Sequence, residues 1–148
     1  MSARTDILLV EDDRDELAVA LRALRRAELD ASIEVARDGV EALEALGLER
    51  TETEPPRPPR VVFLDLKMPR VDGWEVLRRM REDPRTAEVP VVVVSSSDRP
   101  EDIERSYALG ANSFVLKRFD PRGPGGYIEA AARYWLELNC APERKVAP

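Results

Sequence analysis

Short runs of apolar residues recur along this chain, and between them lie longer segments in which apolar residues return every three or four positions. Ile7–Val10, Val61–Leu64 and Pro90–Val94 are apolar throughout and too short for helices, which predicts strands buried on both faces. Ser32–Ala36 alternates, with Ile33 and Val35 on one side and Glu34 on the other, as a half-exposed edge strand would. Asn112–Lys117 is mixed enough to be the opposite edge. Helical spacing joins Leu17, Ala20, Leu21, Leu24 and Ala27, and a second helix carrying Val40, Leu43 and Leu46 opens at Asp38-Gly39-Val40-Glu41 with capping-box spacing. A third runs from Asp72 to Glu82 with Trp74, Leu77 and Met80 on one side, stopped by Asp83-Pro84. A fourth begins at Asp98-Arg99-Pro100-Glu101 and ends near Leu109, before Gly110. The last, Tyr127 to about Asn139, follows the turn Gly123-Pro124-Gly125-Gly126.

Strict alternation of five strands and five helices predicts an α/β fold with a doubly wound parallel sheet. Right-handed crossovers and edge-like strands at positions two and five give the order 2-1-3-4-5. Thr51–Pro59, rich in proline, is expected to be a stiff extended spacer. The 148 residues make one domain, with a core of about 6–139 and a tail of 140–148.

Composition narrows the function. A net charge of -6 with no basic stripe excludes a nucleic-acid surface, and no apolar run approaches membrane-spanning length. The start of the chain carries too few apolar residues for a signal peptide, so the cytoplasm is the expected compartment. One cysteine, Cys140, allows no internal disulfide. The chain has no histidine, which rules out His-based general bases and His metal ligands, and any phosphohistidine must come from another protein.

The chemistry sits just past the strand ends: Glu11, Asp12 and Asp13 after the first, Asp65 after the third, Ser95 after the fourth and Lys117 after the fifth. Each acid alone is more often a solvated loop residue or helix cap. In the order 2-1-3-4-5, however, Glu11, Asp12 and Asp65 converge at the switch point, where their mutual repulsion should raise their pKa values and call for a cation. Oxygen ligands without histidine favour Mg²⁺. A carboxylate, a divalent cation, a lysine and a hydroxyl without a general base suit phosphoryl transfer onto the carboxylate itself, with Asp65 as nucleophile.

Ile7-Leu8-Leu9-Val10-Glu11-Asp12, Asp65-Leu66-Lys67-Met68-Pro69 followed by Asp72-Gly73, Ser95, Phe114 and Lys117, in that order and spacing, resemble the CheY-like receiver domains of two-component response regulators. The resemblance covers roughly Asp6 to Asn139 and implies a flavodoxin-like fold and a non-enzymatic switch. It implies Asp65 as phosphoacceptor and Mg²⁺ held by Asp12, Asp65, the Lys67 backbone carbonyl and, partly through water, Glu11. Asp13 is left outside that set. Ser95 and Lys117 would hold the phosphoryl group, and Ser95 with Phe114 would form the switch, turning the face of the fourth helix, fifth strand and fifth helix toward a partner. The phosphoryl donor would be a sensor histidine kinase, and Lys67 and Ser97 occupy positions that tune phosphoryl lifetime. Arg118 and Phe119 follow Lys117 where the family usually has a cis-proline; since a cis bond there costs about 3 kcal/mol, the loop is either trans or strained.

The proline loop and the ending Tyr134-Trp135-Leu136-Glu137-Leu138-Asn139 also resemble receivers that partner bacterial phytochromes. In the last helix Ile128, Ala131, Trp135 and Leu138 form a stripe for docking on the sheet. Tyr127, Ala130 and Tyr134 form a second stripe, so Tyr127, Tyr134 and Trp135 are expected at a homodimer contact. Three other readings compete. A haloacid-dehalogenase-type aspartyl phosphatase needs a second Asp where this chain has Lys67, and a flavin or nucleotide binder needs a Gly/Ser/Thr-rich loop where it has acids. A phosphorylation-independent pseudo-receiver would usually lack one of the site residues present here.

Overall fold

Strand β1 (Ile7–Val10) is hydrogen-bonded on one side to β2 (Ile33–Ala36) and on the other to the central strand β3 (Val61–Leu64) in a computed structural model that describes residues 4–49, 56–118 and 120–142. Strands β4 (Val91–Ser95) and β5 (Ser113–Leu116) complete a five-stranded, all-parallel sheet of order β2-β1-β3-β4-β5. The connecting helices are α1 (Arg14–Arg26), α2 (Gly39–Ala45), α3 (Gly73–Glu82), α4 (Pro100–Ala108) and α5 (Gly126–Arg133), and a π-helical turn, Tyr134–Leu138, continues α5.

The period-2 geometry of the strands divides their apolar runs between two cores. Ile7, Leu9, Val61, Phe63, Val92 and Val94 point to one face and pack with Leu17, Ala20 and Leu24 of α1 and Ile128 and Ala132 of α5. Leu8, Val10, Val62, Leu64, Val91 and Val93 point to the other, against Leu43 of α2 and Val76, Leu77 and Met80 of α3. Both faces of the three central strands are therefore covered, which is why their sequences show no polar alternation.

Local chemistry sets the helix starts. The carboxylates of Asp13, Asp38 and Asp72 accept hydrogen bonds from backbone N–H groups in the first turns of α1, α2 and α3. In α2 Glu41 reaches back to the Arg37 N–H (3.3 Å), a variant of the reciprocal bond that capping-box spacing leads one to expect. Pro100 occupies the first turn of α4, where its missing N–H costs nothing. Arg81 of α3 donates to the carbonyl oxygens of Val89 (2.8 Å), Ala87 (3.1 Å) and Gly110 (2.9 Å) and so ties together the segments entering β4 and β5.

Two expectations for the end of the chain are corrected. Leu138 does not dock on the sheet and is 73% exposed, because hydrogen bonding changes to the π pattern at Tyr134 (Asn139 N–H to Tyr134 O, 2.7 Å) and rotates the following residues away. Ile128 and Ala132 take the deepest positions, while Ala131 and Trp135 are only partly buried. Tyr127 turns inward against the α1/α5 core instead of outward, and Tyr134, 48% exposed, sets its ring edge-on against Trp135 (5.2 Å, 83°). Thr51–Pro55 of the proline loop and the tail from residue 143 lie outside the described residues, and Pro56–Pro59 form neither helix nor strand. Among the described residues no helix is long and apolar enough to cross a membrane.

Candidate functional site

The sheet's hydrogen bonding runs one residue beyond three of its strands and so delivers the reactive side chains. Glu11 N–H donates to Ala36 O (3.0 Å), Asp65 N–H to Val10 O (3.1 Å) and Lys117 N–H to Ser95 O (2.8 Å). Oxygens of Glu11, Asp12 and Asp65 consequently lie within 4.8 Å of one another. Glu11 and Asp65 are buried, whereas Asp12 is exposed at the mouth of an acidic cleft also lined by Lys67, Ser95 and Lys117. Asp13 is spent as the cap of α1, consistent with its exclusion from the ligand set.

The loop after β3 is held close to both neighbouring helices. Leu66 N–H donates to Asp65 Oδ1 (3.0 Å), and Gly73 N–H donates to Leu66 O (2.8 Å), strapping the start of α3 beneath the acidic residue. A Cβ on Gly73 would collide with the Asp65 carbonyl oxygen and come within 2.8 Å of Leu66 Cα, so only glycine permits this approach. Gly39 plays the same part on the other side, where a Cβ would collide with the Val71 carbonyl. Arg70, with φ of 66° in the left-handed region, pairs with Asp38 (2.7 Å) and ties the loop to the cap of α2.

Ser95 is buried at the end of β4, and its Oγ accepts from Ser97 N–H (3.1 Å); Ser97 Oγ in turn lies 2.5 Å from Asp102 Oδ2. Phe114 stands opposite Val93 in the parallel register and packs on the α2/α3 side of the sheet, the side Ser95 shares by strand parity. Among the described residues every peptide bond is trans, Lys117–Arg118 included; Phe119 is outside them.

Lys117 makes the contacts that hold the cluster together. Its Nζ donates to Glu11 Oε1 (2.5 Å) and to Glu16 Oε2 (2.5 Å), with Asp65 Oδ1 farther off at 3.5 Å. Burial disfavours the ammonium, but the hydrogen bonds to Glu11 and Glu16, aided by the charges of Asp65 and Glu11, outweigh it and raise the lysine pKa. Burial likewise pushes the Glu11 carboxyl up to about 8 against the pull of Lys117. Asp65 is raised too, again first by burial, then by the charges of Asp12 and Glu16, with Lys117 and a hydrogen bond from Glu11 opposing. The expected upward shifts of Glu11 and Asp65 are thus present, but desolvation rather than mutual repulsion leads them.

Glu16 was not among the residues singled out from the sequence. The signal was available: α1 starts directly behind the acid pair, so its first turn must overhang the same cleft. As a ligand set, Glu11, Asp12 and Asp65 offer oxygen atoms only, one of them open to solvent, which fits a hard divalent cation that keeps part of its water.

Residues 7–123 match the model of the response regulator receiver domain family. The chain belongs to that family. Among relatives, it is 37% identical over 136 residues to the probable methanogenesis regulatory protein FilR2 of Methanothrix harundinacea, covering 92% of this chain and 86% of that one. Identity to the response regulator Rcp1 of Synechocystis is 30% over 136 residues, 92% of each chain, and the solved Mn²⁺-bound form of Rcp1 superposes with a TM-score of 0.80 over 94% of this chain and 99% of that one. The phosphorylated cyanobacterial phytochrome response regulator RcpA superposes with a TM-score of 0.82 at 30% identity, covering 95% of this receiver and all of that chain (100%). The five-stranded receiver fold is shared with these structures, and this receiver is related to phytochrome-associated response regulators along nearly its whole length.

Proposed function

We propose that this receiver takes a phosphoryl group onto Asp65 from the phosphohistidine of a partner kinase and thereby switches a protein-binding face. The observation that carries this reading is the meeting of Glu11, Asp12 and Asp65 within 4.8 Å beside the Lys117 ammonium. In the transfer an Asp65 Oδ lone pair forms the new P–O bond as the P–N bond to the donor imidazole breaks, and the electron pair leaves on that nitrogen. Glu11, Asp12, Asp65 and the Lys67 main-chain carbonyl would hold Mg²⁺, which supplies charge neutralisation for the phosphoryl oxygens. Lys117 offers an ammonium and Ser95 a hydroxyl to those oxygens, and no residue needs to act as a general base. The test is incubation of the protein with a small phosphodonor: intact mass should rise by one phosphoryl group, and chelation of Mg²⁺ should prevent it.

The phosphoryl group adds about -1.5 to -2 charge, enough to draw Ser95 and Lys117 toward it. Displacement of Ser95 leaves room on the α2/α3 side for Phe114, which now packs there only partly buried. Ser95→Ala should therefore still accept the phosphoryl group while losing most of the response in α4, β5 and α5. Amide spectra of the variant with and without a phosphoryl mimic will check this: a response equal to that of the wild type rejects Ser95 as the trigger.

The kinase we propose is of the phytochrome type, in the cytoplasm, on the strength of the relation to RcpA and Rcp1. We also propose a homodimer through the π-helical turn that continues α5, now centred on Tyr134 and Leu138, because both large apolar side chains stand exposed, Tyr134 with its ring against partly buried Trp135. Tyr134→Glu should convert a sedimenting dimer to a folded monomer; a wild type that is monomeric at high micromolar concentration removes the dimer.

A further inference from the structure

Glu16 is the one acid of the cleft that grips the site's lysine from a helix rather than from a strand end. An ammonium has three N–H donors. Lys117 directs two short bonds, 2.5 Å each, to Glu11 and Glu16, and only the long 3.5 Å approach is left for Asp65. Its side chain is 9% exposed, so these acids rather than bulk water satisfy most of the ammonium. The Glu16 side chain, by contrast, is 42% exposed and hangs from the first turn of α1.

We infer that Glu16 is a positioning residue that competes with the phosphorylated acceptor for the Lys117 ammonium and so sets how tightly the phosphoryl group is held. The inference rests on the phosphoacceptor reading of Asp65. Of the two acids that grip the lysine, Glu11 belongs to the proposed cation-binding set and would turn part of its charge toward the metal. Glu16 has no such second demand and stays in competition. For Lys117 to meet a phosphoryl oxygen at full strength it must lengthen or give up the Glu16 bond. Because charge-assisted hydrogen bonds are about twice as strong as neutral ones, that exchange carries a cost the phosphorylated state has to overcome.

Glu16→Gln keeps the side chain's shape and removes its charge. Titrated with beryllofluoride, a tetrahedral phosphoryl mimic, in the presence of Mg²⁺, the full-length variant should bind about tenfold more tightly than the wild type, the factor expected from releasing one charge-assisted bond. Its melting temperature should stay close to that of the wild type, since the Gln amide oxygen can still accept from Lys117 and the Glu11 partner remains. Asp15→Asn makes the same change of charge in the same cleft, on a residue for which no bond to Lys117 is found. It should change the affinity by no more than about twofold. Equal tightening by Asp15→Asn would mean that the general field of the cleft, not Lys117, is responsible, and would overturn the inference. So would unchanged or weaker binding by Glu16→Gln when the wild type binds the mimic. A wild type with no Mg²⁺-dependent binding of the mimic instead overturns the phosphoacceptor reading itself.

Discussion

Asp65→Asn is expected to take up no phosphoryl group, yet to melt at a higher temperature than the metal-free wild type. The loss of uptake follows from the chemistry: the amide has no anionic oxygen to attack phosphorus, and no other acid in the cleft occupies its place at the end of β3 between Glu11 and Lys117. The expected effect is complete loss of the mass increase from a small phosphodonor, with Mg²⁺ present. Labelling that persists on another side chain would move the acceptor elsewhere.

The gain in stability follows from the same burial. The folded-state pKa of Asp65 lies above its ordinary value of 3.8, so ionising the group costs more in the folded protein than in the unfolded chain. By the linkage rule this penalty is absent at low pH, where the group is protonated in both states, and grows as pH rises through the unfolded and then the folded pKa. Removing the charge relieves it, and Leu66 N–H can still donate to the amide oxygen. The size expected for relaxing one strained functional site is roughly 1 kcal/mol, or about 2–4 °C in a domain of this length. Thermal unfolding in the presence of a chelator measures it, and a variant less stable than the wild type would show that Asp65 contributes more through its contacts than it costs through its burial.

Gly73→Ala is the second change with a large effect, and it acts through backbone rather than chemistry. The added Cβ would collide with the Asp65 carbonyl and press on Leu66 Cα, both backbone atoms that no rotamer change can move aside. Either α3 withdraws, losing the Gly73 N–H to Leu66 O bond and the fit of Val76 and Leu77 in the core, or the Asp65 loop shifts. Overpacking of this kind costs roughly 1–3 kcal/mol, and the loss of the strap adds about 1 kcal/mol more. The midpoint of thermal unfolding should fall by about 5–15 °C. A midpoint within about 2 °C of the wild type would mean that the loop has slack and that Gly73 does not fix the position of Asp65.

These two predictions draw on different kinds of information, and the difference runs through the whole molecule. The strands of the sheet and their order were legible because the two-sided burial of β1, β3 and β4 leaves an unbroken apolar run, and because half-exposed β2 and β5 do not. That order alone brings the residues after β1 and β3 together, so the meeting of Glu11, Asp12 and Asp65 could be read from sequence. Asp38 and Asp72 announced the starts of α2 and α3 in the same way, since a cap is a local bond between residues three apart.

What lay beyond the sequence depended on where helices settle against one another. Glu16 and Lys117 are separated by 101 residues and meet because the Lys117 side chain reaches from the end of β5 to the first turn of α1. The chain shows that the first turn of α1 follows the acid pair, but not which of its acids the lysine takes. A uniformly α last helix would put Leu138 on the docking stripe; one change of hydrogen-bond pattern at Tyr134 turns it to solvent, and the packing of α5 places Tyr127 inside. Gly73 reads in the sequence as an early residue of the third helix, and only the approach of its Cα to the Asp65 carbonyl shows why no side chain fits there. The sequence by itself determined the sheet, the acids at its switch point and the family, because periodicity and chain order fix those. The tertiary structure decided which partner holds the lysine, how deeply the acids are desolvated and which aromatic faces outward, because these depend on distances between elements that no local pattern encodes.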